Sequence, residues 1–181
     1  MKRAADSQVG VFLRELSLAD CSEFLPAMSA SQVLHAGRVK VPSSEAEYRA
    51  FFSWSRLDNA RVLLLCRGVD GRIAGVFTIG EILRGPFQSA CAGCYAVANY
   101  AHQGHMTAGT HLLIRYAFAK LKLHRLEAYA EVDNNPAKAL LRRCGFEAEG
   151  ISRRYLKVRK RWRDHERWSL TVEDWRRQLQ Q

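Results

Sequence analysis

The sequence reads Val97-Ala-Asn-Tyr-Ala-His-Gln-Gly-His-Met-Thr-Ala-Gly-Thr110 where a strand-like apolar segment ends and a helix-like segment begins. A glycine loop between a strand and a helix is a typical anion site, because the first N–H groups of a helix have no internal partner. Gly104 allows a positive φ and close approach of a ligand to the backbone. The motifs G-x-x-x-x-G-K-[ST] and G-x-G-x-x-G are absent, which excludes P-loop and Rossmann interpretations.

The composition predicts one globular domain over residues 1–181. The net charge of +10 is uneven, and the basic segment 142–181 suggests an acidic partner, such as a nucleotide cofactor or an RNA-rich particle, with a solvated basic face as the alternative. Residues 1–8 lack the apolar core of a signal peptide, so we expect a cytoplasmic protein without membrane contact. The five cysteines favour reduced thiols, and Cys91 and Cys94 are expected on opposite faces of a strand, so no metal site is predicted.

Apolar segments predict strands at 10–16, 60–66, 73–79, 89–97, 126–132, 155–158 and 162–170. Helical patterns between them give the order β-α-α-β-β-β-α-β-α-β-β. A helix that joins two central strands places a parallel pair inside an otherwise antiparallel sheet. The predicted fold class is therefore α/β (α+β), with a mixed, mostly antiparallel sheet of about seven strands.

Local signals set several boundaries. Ser44 and Glu47 form a capping-box pattern at the start of a helix, and Asp70-Gly71 is typical of a hairpin turn. Asn134 is a candidate cap for a helix that begins near Pro136. The second helix carries an aromatic stripe that is predicted to be core, although part of it could line a substrate pocket: Tyr48, Phe51, Phe52 and Trp54.

Three groups of short sequence motifs occur together in this chain. They are Ile82-Leu-Arg-Gly-Pro-Phe87 with Gly93, Gln103-Gly-His-Met106, Tyr116-Ala-Phe118 and Leu123-His-Arg125; Asp133-Asn134 with Gly145-Phe-Glu-Ala-Glu-Gly150; and Tyr155-Leu156 with Trp162-Arg-Asp-His165 and Asp174-Trp175. Together with the order of elements, they resemble the GCN5-related N-acetyltransferase (GNAT) superfamily, and in particular its RimJ/RimL-type branch, which acetylates the N-termini of ribosomal proteins. The resemblance covers nearly the whole chain.

The resemblance implies a sheet with helices on both faces. The two parallel strands, which end at Val97 and Val132, are expected to splay apart toward those ends. It also implies acetyl-CoA as co-substrate, with pantetheine in that gap, pyrophosphate on the N–H groups of residues 103–107, and no metal. An unpaired N–H near Val97 would meet the developing oxyanion. The cofactor-binding residues implied are Val97, His102, Gln103, Gly104, His105, Met106, Thr107 and Asn134.

The implied reaction is direct attack of an amine on a thioester, which needs a base for the amine and a proton for the thiolate. An α-amine has a pKa of about 7.7–8.0, so a modest base suffices. Glu81 is the candidate base, with an exposed loop carboxylate as the alternative, and Tyr155 is the candidate proton donor, with a structural hydrogen bond as the alternative. Asn134 is a catalytic candidate as well as a cofactor contact. Residues 163–165 are expected to form ion pairs and hydrogen bonds of a structural kind.

Three positions that are polar in the family are alanine here, namely Ala101, Ala108 and Ala137. Three functions therefore stay open. The first is acetylation of a protein N-terminus, with a ribosome or RNA contact through segment 142–181. The second is acetylation of a small amine, and the third is a CoA-binding or RNA-binding module with weakened catalysis. Either a monomer or a homodimer fits the sequence.

Overall fold

A computed structural model of the protein describes residues 10–180. The N-terminal segment, in which no signal peptide is expected, lies outside the described residues, as does Gln181. The strands are β1 Val11–Glu15, β2 Arg61–Arg67, β3 Ile73–Leu83, β4 Ser89–Ala96, β5 Arg125–Glu131, β6 Glu147–Val158 and β7 Arg161–Thr171. They form a seven-stranded sheet in the order β1-β2-β3-β4-β5-β7-β6. The pair β4–β5 is parallel and the other pairs are antiparallel, as the sequence predicts.

Helices cover both faces of the sheet. Their bounds are α1 Cys21–Ala30, α2 Gln32–His35, α3 Glu45–Ser55, α4 His105–Arg115, α5 Asn135–Arg143 and α6 Val172–Leu179. One core cluster holds Leu113 and Ile114 of α4 with the apolar side of β5, and Leu141 of α5 and Trp175 of α6 pack against it. A second cluster joins Phe24 of α1 to the opposite face of the central strands. The sheet is therefore a wall between two helical layers.

Local chemistry explains where α3 begins. The Ser44 hydroxyl accepts the N–H of Glu47 at 3.2 Å, which satisfies one of the free donors of the first turn. The Glu47 carboxylate accepts from the backbone N–H of Ser43 at 2.9 Å. In a regular capping box it would accept from the N–H of Ser44, so this second hydrogen bond is formed one residue earlier than the pattern predicts. The helix start that the sequence predicts is confirmed.

Helix α4 lies unusually close to the sheet at Gly109. A Cβ atom at this position would lie 2.7 Å from the Phe77 ring and 2.8 Å from the Leu65 side chain. Glycine is therefore required here for packing, although it is a poor helix former. The close approach fixes the start of α4 directly above the central strands.

The parallel strands separate part of the way along. The last paired residues are Ala92 of β4 and Ala128 of β5. Beyond them β4 continues against β3 as far as Ala96, while β5 continues against β7 as far as Glu131. A gap therefore opens between the carboxyl ends of the two strands, as the family resemblance implies.

The structure differs from the sequence prediction in four elements, one of which is the short helix α2, absent from the predicted order. Strand β6 begins at Glu147 rather than Tyr155, because it is the edge strand and its exposed side chains show no apolar alternation. Strand β3 runs past Ile79 to Leu83 through an irregularity in its pairing after Gly80. Helix α6 was not predicted, although Thr171 caps it by accepting the N–H of Asp174 at 3.3 Å.

Candidate active site

Two connected cavities occupy the gap between β4 and β5. The cavity nearer α3 has a volume of about 340 Å³ and is called the aromatic cavity. The other lies against the start of α4, has a volume of about 540 Å³ and is called the loop cavity. They meet at residues that line both, namely Arg38, Val39, Cys94, Tyr95, Asn134, Ala137 and Leu140.

The loop cavity has the features of an anion site. Gly104 adopts a φ of 82° immediately before α4. The first helical bond runs from the Ala108 N–H to the Gly104 carbonyl, so the N–H groups of residues 105–107 have no partner in the helix. Arg143 also lines this cavity and donates to the Thr107 hydroxyl at 3.2 Å. Free N–H groups, a helix dipole and a guanidinium thus converge on one place.

The predicted cofactor residues divide into two groups. Those whose side or main chain lines the loop cavity are His102, Gly104, Met106, Thr107 and Asn134. Gln103 instead donates through its amide to the Asn99 carbonyl at 3.0 Å. His105 is 7% exposed, with its ring beside Tyr100. For Gln103 and His105 only the backbone N–H groups stay candidates.

The unpaired strand N–H expected near Val97 is not that of Val97 itself. This N–H donates to the Ala74 carbonyl at 2.9 Å, because β4 stays paired with β3 to its end. Successive residues of a strand direct their N–H groups to opposite edges, so Cys94 directs its own toward the gap. Cys94 lies two residues beyond the last parallel pair and lines both cavities. Loss of solvation raises the pKa of its thiol to about 12.

Asn134 lies where the two cavities join. Its side-chain oxygen accepts the N–H of Ala137 at 3.3 Å and so caps α5, as the sequence predicts. The amide NH₂ is left to donate toward the cavities. Ala137 lines both cavities and presents no hydroxyl group there.

The aromatic stripe of α3 has two environments. Tyr48 is fully buried in the core, as predicted. Phe51 and Trp54 stack with ring centroids 5.9 Å apart and line the aromatic cavity. Tyr129 of β5 lines the same cavity from the opposite side. Aromatic side chains from α3 and β5 therefore enclose this space.

Glu131 is the centre of an ion-pair network at the end of β5. Its side chain is 3% exposed, and its carboxylate lies 3.1 Å from both Arg159 and Arg163 and 3.6 Å from Arg38. Arg38 and Arg163 also pair with Asp133, at 3.7 Å and 3.4 Å. The network ties the segment after α2 and the β6–β7 turn to the end of β5.

The structure separates the predicted catalytic residues. Glu81 is exposed, has a φ of 52° in the irregular part of β3, and is not among the lining residues of either cavity within 10–180. Tyr155 stacks on Tyr129 at 4.6 Å between ring centroids and is itself not among the described residues that line the aromatic cavity. Asn134 alone of the three lines the cavities.

Sequence reasoning missed several residues of the site. Arg38 and Arg143 carried no local signal other than their charge. Glu131 occupies an alternating strand in which polar positions are expected to face water, yet arginines from the segment after α2 and from the β6–β7 hairpin surround it. His165 was expected to have a structural role, but it lines the aromatic cavity.

Residues 10–180 show neither a metal-binding cluster nor a membrane-spanning helix. In residues 10–180, no group of three or more His, Cys, Asp and Glu side chains is arranged to hold a metal ion. No helix in the same range combines the length and apolar character needed to cross a membrane.

Comparison with known proteins identifies the family. Residues 11–147 match the model of the acetyltransferase (GNAT) domain. The probable N-acetyltransferase YjcK of Bacillus subtilis (strain 168) is 36% identical over 97 residues, which are 54% of this chain and 54% of that protein. The ribosomal protein uS5-alanine N-acetyltransferase of Escherichia coli (strain K12) is 33% identical over 106 residues, 59% of this chain and 55% of that protein.

The chain thus spans about half the length of the curated relatives it matches. Among solved structures, Mycobacterium smegmatis RimJ in complex with CoA-disulfide superposes with a TM-score of 0.83 at 26% identity, over 92% of this chain and 84% of that chain. The splayed strands, the glycine loop at the start of α4 and the match over residues 11–147 agree with one another, and the chain belongs to the GNAT family of acetyltransferases.

Proposed function

We propose that this protein transfers an acetyl group from acetyl-CoA to a primary amine, which is the N-terminal α-amine of a ribosomal or other protein. The observation that carries the proposal is the junction of the loop cavity with the aromatic cavity in the gap between β4 and β5. One cavity suits an anionic cofactor and the other suits an acceptor. The names of the relatives support an acetyltransferase that acts on proteins.

The residues of the loop cavity fit the pyrophosphate of acetyl-CoA. The N–H groups of residues 103–107 and the Arg143 guanidinium would hold it, since both favour phosphate oxygens. Bound acetyl-CoA supplies a thioester whose acetyl carbon an amine can attack. The N–H of Cys94 would stabilise charge on the carbonyl oxygen, and the Asn134 amide would orient the pantetheine arm.

The aromatic cavity favours an α-amine over a polyamine. Its charged lining side chains are Arg38, Lys40 and Glu131, and Glu131 is already paired with arginines. This excess of positive charge disfavours a polycation and favours the neutral, nucleophilic form of an amine. An α-amine with a pKa of about 7.7–8.0 loses its proton more readily than a lysine side chain at about 10.4.

The roles of Glu81 as base and of Tyr155 as proton donor stay predictions. Neither residue is among the described residues that line the two cavities. Two alternative functions also stay open. One is acetylation of a small amine. The other is a weakened CoA-binding or RNA-binding module, which the alanines at 101, 108 and 137 keep open.

A transfer assay tests the proposed function. The pure protein is incubated with acetyl-CoA and a panel of N-terminal peptides from ribosomal proteins, lysine-bearing peptides with blocked N-termini, and polyamines. We expect mass spectrometry to show one added acetyl group at the α-amine of a subset of the peptides. Acetylation of small amines alone would support the first alternative, and no transfer at all would support the second.

The β6–β7 turn is the proposed contact with ribosomal RNA in the cytoplasm. The segment 153–163, called the basic hairpin, has seven cations and no acidic residue. No ion pair among the described residues involves Arg153, Lys157 or Arg161. Trp162 is 62% exposed on the same segment and can stack on an unpaired base.

Charge reversal tests this contact. Changing Arg153, Lys157 and Arg161 to glutamate is expected to lower the slope of log affinity against log salt by about 2–3, because about 0.7–0.9 counterions are released per phosphate contact. Fluorescence anisotropy with a ribosomal RNA fragment measures this slope. The control, with the same net charge, reverses Arg72, Arg115 and Lys122. An equal loss in both variants would refute a specific role of the hairpin.

A further inference from the structure

His165 of β7 lines the aromatic cavity while only 4% of the residue is exposed. In the sheet it lies opposite Glu131 of β5 and Ser152 of β6. Its Nδ1 atom lies 3.1 Å from the backbone carbonyl oxygen of Arg163. Because a carbonyl oxygen only accepts, Nδ1 carries a proton, and in the Nδ1–H tautomer of imidazole the lone pair is on Nε2.

The Nε2 atom is available to a ligand. The Nδ1 contact is the single hydrogen bond of this ring within residues 10–180, and Nε2 is not sealed from solvent. The Tyr155 ring packs edge-on against the imidazole at 6.1 Å between centroids and holds its orientation. A buried imidazole thus presents a fixed lone pair at the wall of the cavity.

The other ionisable groups on this wall are poorly suited to accept a proton. Glu131 is held by two guanidinium groups at 3.1 Å. The Tyr129 hydroxyl donates to the Glu127 carboxylate at 2.7 Å, and burial raises the pKa of Tyr129. Desolvation raises the pKa of the Cys94 thiol to about 12, and burial also raises the pKa of Tyr95.

We propose that His165 is the base that takes the proton from the acceptor amine, an inference that rests on the proposed acetyl transfer. Nε2 removes one proton from the ammonium form, and the neutral nitrogen then forms a bond to the acetyl carbon. The C–S bond breaks and its electron pair goes to sulfur. The second proton that nitrogen sheds is taken up by that sulfur, so atoms and charges balance.

The charged groups around His165 come from three parts of the chain. Glu131 faces the ring from β5, Arg163 lies two residues away on β7, and Arg38 and Lys40 line the same cavity from the segment after α2. On another side the ring packs against the uncharged Tyr155. Cations outnumber carboxylates, which favours loss of a proton by a bound ammonium group.

The pH dependence of His165→Asn tests the proposal, because an asparagine amide can still donate to the Arg163 carbonyl. At pH ~6.5 we expect kcat/KM to fall by about 10²–10⁴, the usual contribution of a general base. By pH ~9 the α-amine is neutral by itself, and the deficit should shrink to less than about tenfold. A structural defect would instead lower activity by the same factor at every pH.

Two further variants complete the kinetic test. His111→Asn, at an exposed histidine of α4, is the matched control and should equal the wild type. Glu81→Gln examines the competing base. A pH-dependent loss in Glu81→Gln, with none in His165→Asn, would overturn the proposal. A wild-type protein that acetylates no amine would refute the proposed function instead.

A spectroscopic readout is independent of turnover. Nitrogen-15 NMR of labelled histidine should show the Nδ1–H tautomer at His165 in the wild type. An acceptor peptide should shift its Nε2 signal. The Nε2–H tautomer, or an Nε2 signal that does not shift when the peptide is added, would contradict the assignment of His165 as the base. This holds whether or not the enzyme turns over.

Discussion

We expect Gly104→Val to weaken acetyl-CoA binding by about 100-fold. Gly104 has a φ of 82°, where a β-branched side chain costs about 1–2 kcal/mol, and the loop relaxes by rotating this peptide. That rotation moves the N–H groups at the start of α4 away from the pyrophosphate. The loss of two charge-assisted hydrogen bonds, at about 1.5 kcal/mol each, corresponds to roughly two decades in affinity.

Calorimetry of the variant with acetyl-CoA measures this loss, and Gly71→Val is the matched control. Gly71 also has a positive φ, 70°, and an added Cβ meets no atom within 4 Å. It lies in the β2–β3 turn, away from both cavities. The control should lose similar stability yet bind acetyl-CoA as the wild type does. Unchanged affinity in Gly104→Val would contradict the placement of the pyrophosphate.

We expect Glu131→Gln to lower the free energy of unfolding by about 3 kcal/mol. The carboxylate is buried among Arg38, Arg159 and Arg163, so its removal leaves cations partly buried without their partner. Breaking a buried pair on one side costs about 3–5 kcal/mol, and the partly exposed guanidinium groups place the effect at the low end of that range. Urea denaturation followed by circular dichroism measures the change.

The control for this prediction is Glu45→Gln. Glu45 pairs with Arg49 on the exposed face of α3, where such a pair contributes only about 0.3–0.5 kcal/mol. Equal destabilisation in the two variants would show that burial of Glu131 adds nothing to the stabilisation by its ion pairs. The Glu131 variant should also weaken peptide binding, since the network anchors Arg38 at the wall of the aromatic cavity.

Much of the fold was predictable because its signals are local. The buried run of β2 is apolar at consecutive positions, and the caps and turns are set by a few neighbouring residues. The parallel pair followed from one helix between two central strands. The combination of motifs then supplied the splay between β4 and β5.

The missed elements have no such local signal. Strand β6 is exposed along most of its length, so its residues are under little constraint to alternate. The pairing of the Val97 N–H depends on how far β3 accompanies β4, which is a property of the sheet and not of the segment. Predictions from periodicity fail where register and edge position decide the outcome.

The candidate site likewise contains some residues that the sequence predicts and others that it does not. Gly104 and Asn134 were recognisable, since a helix start and a cap have sequence patterns. Glu81 is a candidate by its proximity in sequence, and it is not among the residues of the described chain that line the two cavities. His165 and Arg38 come from distant segments and meet only in the folded sheet.

The most direct test of the account is calorimetry of the wild-type protein with acetyl-CoA and with CoA. We predict one molecule bound per chain, with a dissociation constant in the range of about 1 µM to 1 mM that is usual for enzyme substrates. Binding of both ligands would establish the loop cavity and the gap between β4 and β5 as the cofactor site. No heat of binding with either ligand would contradict the proposed acetyltransferase function.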